Sequence, residues 1–136
     1  MTVKPVSHIM VVDDEDQVGA AIRIALHRHG HSAEVFDSGQ AALRELDKSE
    51  FDLAIVDVFM MQMDGMTLIN EIRKRLPRLP IVVISGGEFG GVALEFIGEK
   101  PDLSGIVRLQ KPFRPQALIA AMQEAEKNAA MQKWSV

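Results

Sequence analysis

The sequence predicts an α/β domain built on a doubly wound, five-stranded parallel sheet. Three observations carry that reading. Five short apolar runs, at 8–12, 32–36, 51–57, 81–85 and 106–109, alternate with five stretches of helical periodicity. Alternation of this kind, closed by right-handed crossovers, puts helices on both faces of a parallel sheet. Four of the runs also lead into polar groups, and the carboxyl ends of parallel strands are where open α/β sheets build their sites.

Each element has its own signal. His8-Ile9-Met10-Val11-Val12 reads as a buried first strand and runs into Asp13, Asp14, Glu15 and Asp16. Val18, Ile22, Ala25, Leu26 and His29 then recur at helical spacing, and Gly30 suits a left-handed terminator. The second strand is shorter in apolar content, as an edge strand should be. Ser38 caps a helix reaching about Asp47, with Ala42, Leu43 and Leu46 inward. The run Phe51-Asp52-Leu53-Ala54-Ile55-Val56-Asp57 is apolar enough for the sheet centre and ends on a carboxylate.

After Gly65, the residues Leu68, Ile69, Ile72 and Leu76 mark a third helix, closed by Pro77 and Pro80. Ile81-Val82-Val83-Ile84-Ser85 is almost wholly β-branched and reads as the fourth strand. A weak helix is expected around 92–97 among the glycines 86, 87, 90, 91 and 98. The last strand leads to Lys111-Pro112, and Pro115 fits the first turn of a final helix. Leu118, Ile119, Met122, Ala125 and Ala129 form that helix's apolar face.

Composition narrows the functions open to such a domain. The length of 136 residues suits a single domain, 1–136, with no repeat or linker to a second one. A net charge of −4 argues against nucleic-acid binding by general attraction, which needs a basic footprint. The absence of cysteine removes disulfides and thiolate metal sites. No apolar run is long enough to span a bilayer and the N-terminus has no signal-like segment, so the expected address is the cytoplasm.

One edge of the predicted sheet gathers Asp13 and Asp14, Asp57, Ser85 and Lys111. Carboxylates about 4 Å apart repel by about 4 kcal/mol at an effective dielectric near 20. A divalent cation relieves that repulsion, and an all-oxygen donor set favours Mg²⁺. A cation beside one carboxylate prepares it to attack phosphorus, while Lys111 and Ser85 offer a charge and a hydroxyl to phosphate oxygens. Taken singly, the acids read as a helix N-terminal cluster or a loop anchor, and Lys111 as a surface residue. Together they read as an aspartyl-phosphate site.

The motifs Val11-Val12-Asp13-Asp14-Glu15, Asp57 with Met60 and Met63-Asp64-Gly65, Ile84-Ser85-Gly86 and Lys111-Pro112-Phe113 resemble the receiver domain of bacterial two-component response regulators. The resemblance covers about 7–128, leaving a short N-terminal arm and a C-terminal tail. It implies a flavodoxin-like strand order 2-1-3-4-5. It also implies Asp57 as phosphoacceptor, Asp14 and Asp57 as direct Mg²⁺ ligands with Asp13 acting mainly through water, and the Phe59 backbone carbonyl completing that shell. Ser85 matches the switch hydroxyl and Lys111 the phosphate-pairing lysine, with Lys111-Pro112 cis. The implied partners are a sensor histidine kinase or phosphotransfer protein and a downstream protein. The implied output surface is about 92–97, 106–109 and 116–131.

The sequence departs from the family pattern in three places. Met61 replaces a usual proline, Arg108 stands where an aromatic switch residue is usual, and the segment 86–91 is dense in glycine. A guanidinium does not bury in an aromatic slot without a partner. Arg108 gives weight to an alternative, a phosphate-independent binding module of the same fold, against which the intact acid, hydroxyl and lysine set speaks. A small Mg²⁺-dependent phosphohydrolase would want a second acid two residues after the nucleophile, where Phe59 cannot transfer a proton. Elsewhere, His27, His29 and His31 suit a helix C-terminus better than a metal. Met60 and Met66 read as core packing, and nothing fixes a role for Trp134.

Overall fold

Residues 7–58, 65–86 and 105–132 are described by the computed structural model. The chain runs β1 (His8–Val12), α1 (Asp16–Arg28), β2 (Ser32–Phe36), α2 (Gly39–Leu46), β3 (Leu53–Asp57), α3 (Gly65–Arg75), β4 (Ile81–Gly86), β5 (Val107–Lys111) and α4 (Pro115–Gln132). All pairings are parallel and the order is β2-β1-β3-β4-β5, the flavodoxin-like order. The helix expected around 92–97, the Phe59 carbonyl, Met60, the Met66 side chain and Trp134 lie outside what is described.

The period-two alternation of the strands divides the core into two halves. Met10, Val12, Ala54, Val56, Ile81 and Val83 face α2 and α3, packing on Ala42, Leu68, Ile69 and Ile72. Ile9, Val11, Leu53, Ile55, Val82 and Ile84 face α1 and α4, packing on Ile22, Leu26, Leu118 and Met122. These strands are apolar on both faces because helices cover both, which is why they read as continuous runs. No helix among the described residues is long and apolar enough to cross a membrane.

Local signals fix several ends. Gly30 has φ +83°, the left-handed region, just after α1. The Ser38 hydroxyl accepts a hydrogen bond from Ala41 N–H at 3.2 Å and so caps α2. Pro115 opens α4. Other bounds differ from the sequence reading. His29 does not belong to the buried face of α1: the helix ends at Arg28, and the exposed His29 ring bonds Ala25 O at 3.0 Å. Leu76 falls beyond α3 and is exposed, because the helix stops before Pro77.

Phe51 and Asp52 precede β3 rather than joining it. Phe51 stacks on His8 at 4.8 Å, and the Asp52 carboxylate accepts from His8 N–H at 2.8 Å. Their apolar and polar roles are tertiary. β5 starts one residue later than expected and continues to Lys111, which places that lysine on the strand itself.

Candidate functional site

Alternation along the strands carries polar residues onto one face at one sheet edge. The apolar stripe Ile9, Val11 continues into Asp13; Leu53, Ile55 into Asp57; Val107, Leu109 into Lys111. Three elements far apart in sequence therefore present two acids and a base to the same side, above α1 and α4.

The backbone fixes each member. Asp13 N–H donates to Phe36 O at 3.0 Å, extending the β1–β2 pairing by one residue. The Asp13 Oδ1 accepts from Glu15 N–H at 2.9 Å, a local side-chain turn that leads into α1. Glu15 is the residue before that helix, and its carbonyl accepts from Val18 and Gly19 N–H at 3.1 Å. Its carboxylate does not cap the helix and is left to reach outward. After Asp57, Val58 N–H donates to Ile84 O at 3.1 Å, holding the end of β3 against β4. The Lys111-Pro112 peptide is cis.

Lys111 Nζ sits amid carboxylates, 3.2 Å from Asp57 Oδ2, 3.3 Å from Asp13 Oδ2 and 3.5 Å from Glu15 Oε1. Asp13 and Asp57 are 1% and 2% exposed, so these charges stand in a low-dielectric setting. Carboxylate oxygens of Asp13, Asp14, Glu15 and Asp57 lie within 4.8 Å of one another. Three of these acids face the lysine, and Asp14 adds a fourth to the cluster. Such a set of hard oxygen donors with an excess of negative charge fits a hard divalent cation.

The electrostatics show where the imbalance falls. Burial pushes the Asp13 carboxyl up from 3.8 to about 6; the Glu15 N–H opposes this, the Asp57 charge adds to it and Lys111 moderates it. For Lys111, burial favours the neutral amine, but the charges of Asp57 and Asp13 outweigh it and the net shift is upward. A buried acid whose ionised form is disfavoured even beside a charged lysine is a group that further positive charge would stabilise.

Of the residues the sequence singled out, Asp13, Asp14, Asp57 and Lys111 converge. Ser85 is buried at the end of β4, one residue beyond Ile84, which pairs with Asp57 in register. It continues the other stripe, Ile81 and Val83. Glu15, which the sequence marks only as one of a run of acids, contacts Lys111 and joins the cluster. Its place just ahead of α1, two residues after an acid able to turn back onto its backbone N–H, is the one available signal. Arg108 lies exposed on β5, in register with Val83, so its guanidinium stays at the surface rather than in a buried slot.

Comparison with known proteins agrees with this geometry. Residues 9–123 match the family described as the response regulator receiver domain. The transcriptional regulatory protein GlrR of Escherichia coli (strain K12) is 30% identical over 136 residues, covering 96% of this chain but 28% of its own length. The chain thus spans under a third of that relative. The crystal structure of the receiver domain of NtrX from Brucella abortus superposes with a TM-score of 0.73 at 27% identity, covering 88% of this chain and 98% of that one. A CheY-like receiver domain protein from Methanospirillum hungatei JF-1 shares the fold, with a TM-score of 0.76 at 19% identity and coverage of 94% and 99%.

Proposed function

The chain belongs to the response regulator receiver domain family, and from that premise we propose that it carries a signal by accepting a phosphoryl group on Asp57. The observation that carries this reading is the placing of Asp57: buried at the end of β3, 3.2 Å from Lys111 Nζ, inside the four-acid cluster. In the proposed step an Asp57 carboxylate oxygen attacks phosphorus. The bond from phosphorus to the donor's nitrogen or oxygen breaks, and its electron pair leaves with the donor. Lys111 is within reach of the oxygens of a group on Asp57 and neutralises part of their charge.

Mg²⁺ is the proposed cofactor, with Asp13, Asp14 and Asp57 as its side-chain ligands and the Phe59 carbonyl as a fourth. Once bound, it screens the incoming phosphoryl charge from the acids. Ser85 is proposed as the hydroxyl that senses the phosphorylated state. The proposed donor is a sensor histidine kinase or phosphotransfer protein in the cytoplasm. A groove between α1 and α4, lined by Gln17, Val18, Ala21, Pro112 and Phe113 and beginning at Lys111, offers such a donor an apolar seat beside the acid. The output is contact with a downstream protein, and the domain turns over no external substrate.

Incubation with a small phosphodonor and Mg²⁺, followed by intact-mass measurement, tests the reading. The protein gains one phosphoryl group, the gain requires Mg²⁺, and Asp57→Asn abolishes it. Folded protein that gains none, or gains it equally as the Asp57→Asn variant, overturns the assignment. Steady release of phosphate over many turnovers would make it a hydrolase instead.

A further inference from the structure

The outer flank of α1 carries an acid at one end and bases at the other, with apolar surface between them. A groove there, against β2, is lined by Asp16, Ala20, Arg23, Ile24, Arg28 and Val35. β2 is the sheet edge among the described residues, so the groove opens on an uncovered border. Ile24 is 55% exposed and Val35 36%, two large apolar side chains left to solvent in the same groove. The helix lies close on the strand at this point: a Cβ on Gly19 would come 2.6 Å from Val35 Cγ1. Among the described residues, Asp16, Arg23 and Arg28 have no ion-pair partner.

We propose that this face is an interface with a second copy of the chain. The two α1 helices pack antiparallel across a two-fold axis near Ile22. The order of residues along the flank is the argument. Reversing the helix so that Asp16 meets Arg28 and His27 of the other copy also sets Ala20 against Ile24. Opposite charges then close both ends, and a large side chain meets a small one in the middle. A two-fold interface requires this self-complementarity, since every contact occurs twice.

A partner of one charge sign fits less well, because it would meet either Asp16 or the arginines as a like charge. Helices of 13 residues give a contact at the small end of interface sizes, so the association is weak and concentration-dependent. The opposite flank of α1, which borders Lys111, stays open. The proposal therefore stands independently of the phosphotransfer reading.

Sedimentation velocity on the full chain across a concentration series up to about 1 mM tests it. The unaltered chain forms dimers, and raising NaCl weakens them by screening the paired ends. Asp16→Arg alone and Arg28→Glu alone each weaken dimerisation at least about tenfold, as two opposed like charges would. An equimolar mixture of the two variants regains it as a one-to-one heterodimer, because both ends again pair opposite charges. A chain that stays monomeric, dimers indifferent to salt, variants that dimerise unchanged, or a mixture of folded variants that does not associate would each overturn the proposal. The salt series on the unaltered chain keeps the test decisive if a variant fails to fold.

Discussion

Replacing Asp13 by asparagine is expected to stabilise the protein when divalent cations are absent. Asp13 is 1% exposed, and folding raises its carboxyl from 3.8 to about 6. At about 1.4 kcal/mol per pH unit, that rise is worth about 3 kcal/mol against the ionised form in the folded state. The direction of the pH dependence follows from the raised value. Between 3.8 and about 6 the folded protein binds the proton more tightly than the unfolded chain. The stabilising contribution is therefore fully present below 3.8 and lost as pH rises through about 6. At pH 7.5, well above that window, the wild-type protein carries the whole burden of an ionised buried acid.

Asparagine keeps the shape and the oxygen that accepts from Glu15 N–H at 2.9 Å, and it removes the charge beside Asp57. The attraction to Lys111 is already included in the net upward shift, so losing it does not cancel the gain. The amide nitrogen that replaces one oxygen near Lys111 offsets part of it. A gain of about 1–3 kcal/mol at pH 7.5 is expected, shrinking towards zero near pH 4. Urea unfolding followed by circular dichroism, in a chelator at both pH values, measures it. Adding Mg²⁺ should stabilise the wild type and erase or reverse the variant's advantage, because a ligand that binds the folded state shifts stability by mass action. An Asp13→Asn protein that is less stable than wild type at pH 7.5 in chelator refutes the reasoning. So does an advantage that persists undiminished at pH 4.

Lys111→Met removes the positive charge lying 3.2 Å from Asp57 and 3.3 Å from Asp13. In chelator at pH 7.5 it should destabilise the protein by about 2–4 kcal/mol, and by less at pH 5, where Asp13 can take a proton; urea melts at the two pH values check this. The raised lysine sets a second signature. Its contribution is fully present below 10.5 and is lost as pH rises through the higher folded value, so wild type should weaken above pH 10.5 more steeply than Lys111→Met. Gly19→Ala should cost about 1–2 kcal/mol despite alanine's better helix propensity, since its Cβ would come 2.6 Å from the stiff Val35 side chain. Combining it with Val35→Ala should recover more stability than Val35→Ala shows alone, read from the same melts as a double-mutant cycle.

How much was legible in the sequence depends on the range of the force that fixes each feature. Strand and helix identities follow from local periodicity, and β1, β2 and the Ser38 cap lie where it puts them. Element ends were less legible, because they are set by partners. Phe51 is buried yet lies outside β3, its burial coming from ring packing on His8 and Phe36 rather than from a place in the strand. His29 has the right spacing for α1 but not the burial, because the chain turns at Gly30 to enter β2. Asp13, Asp57 and Lys111 were legible as a set because each continues an apolar stripe by one more period-two step. Ser85 continues the opposite stripe, so its burial at the end of β4 could be foreseen.

Glu15 shows what a strand-by-strand reading misses. It lies past the end of β1 and precedes α1, and no periodicity assigns it a side. Its direction is set by the turn that Asp13 makes with Glu15 N–H, and its carboxylate ends 3.5 Å from Lys111 Nζ. With Glu15 included, the lysine faces three carboxylates at 3.2 to 3.5 Å, and Asp14 adds a fourth to the cluster. A lone lysine cannot neutralise that set, which is why burial and Asp57 can hold the Asp13 carboxyl near 6 even with Lys111 alongside. The charge that makes the site suited to a cation is thus the same charge that weakens the cation-free fold. Stability and metal affinity should therefore move in opposite directions when the Asp13 charge is removed.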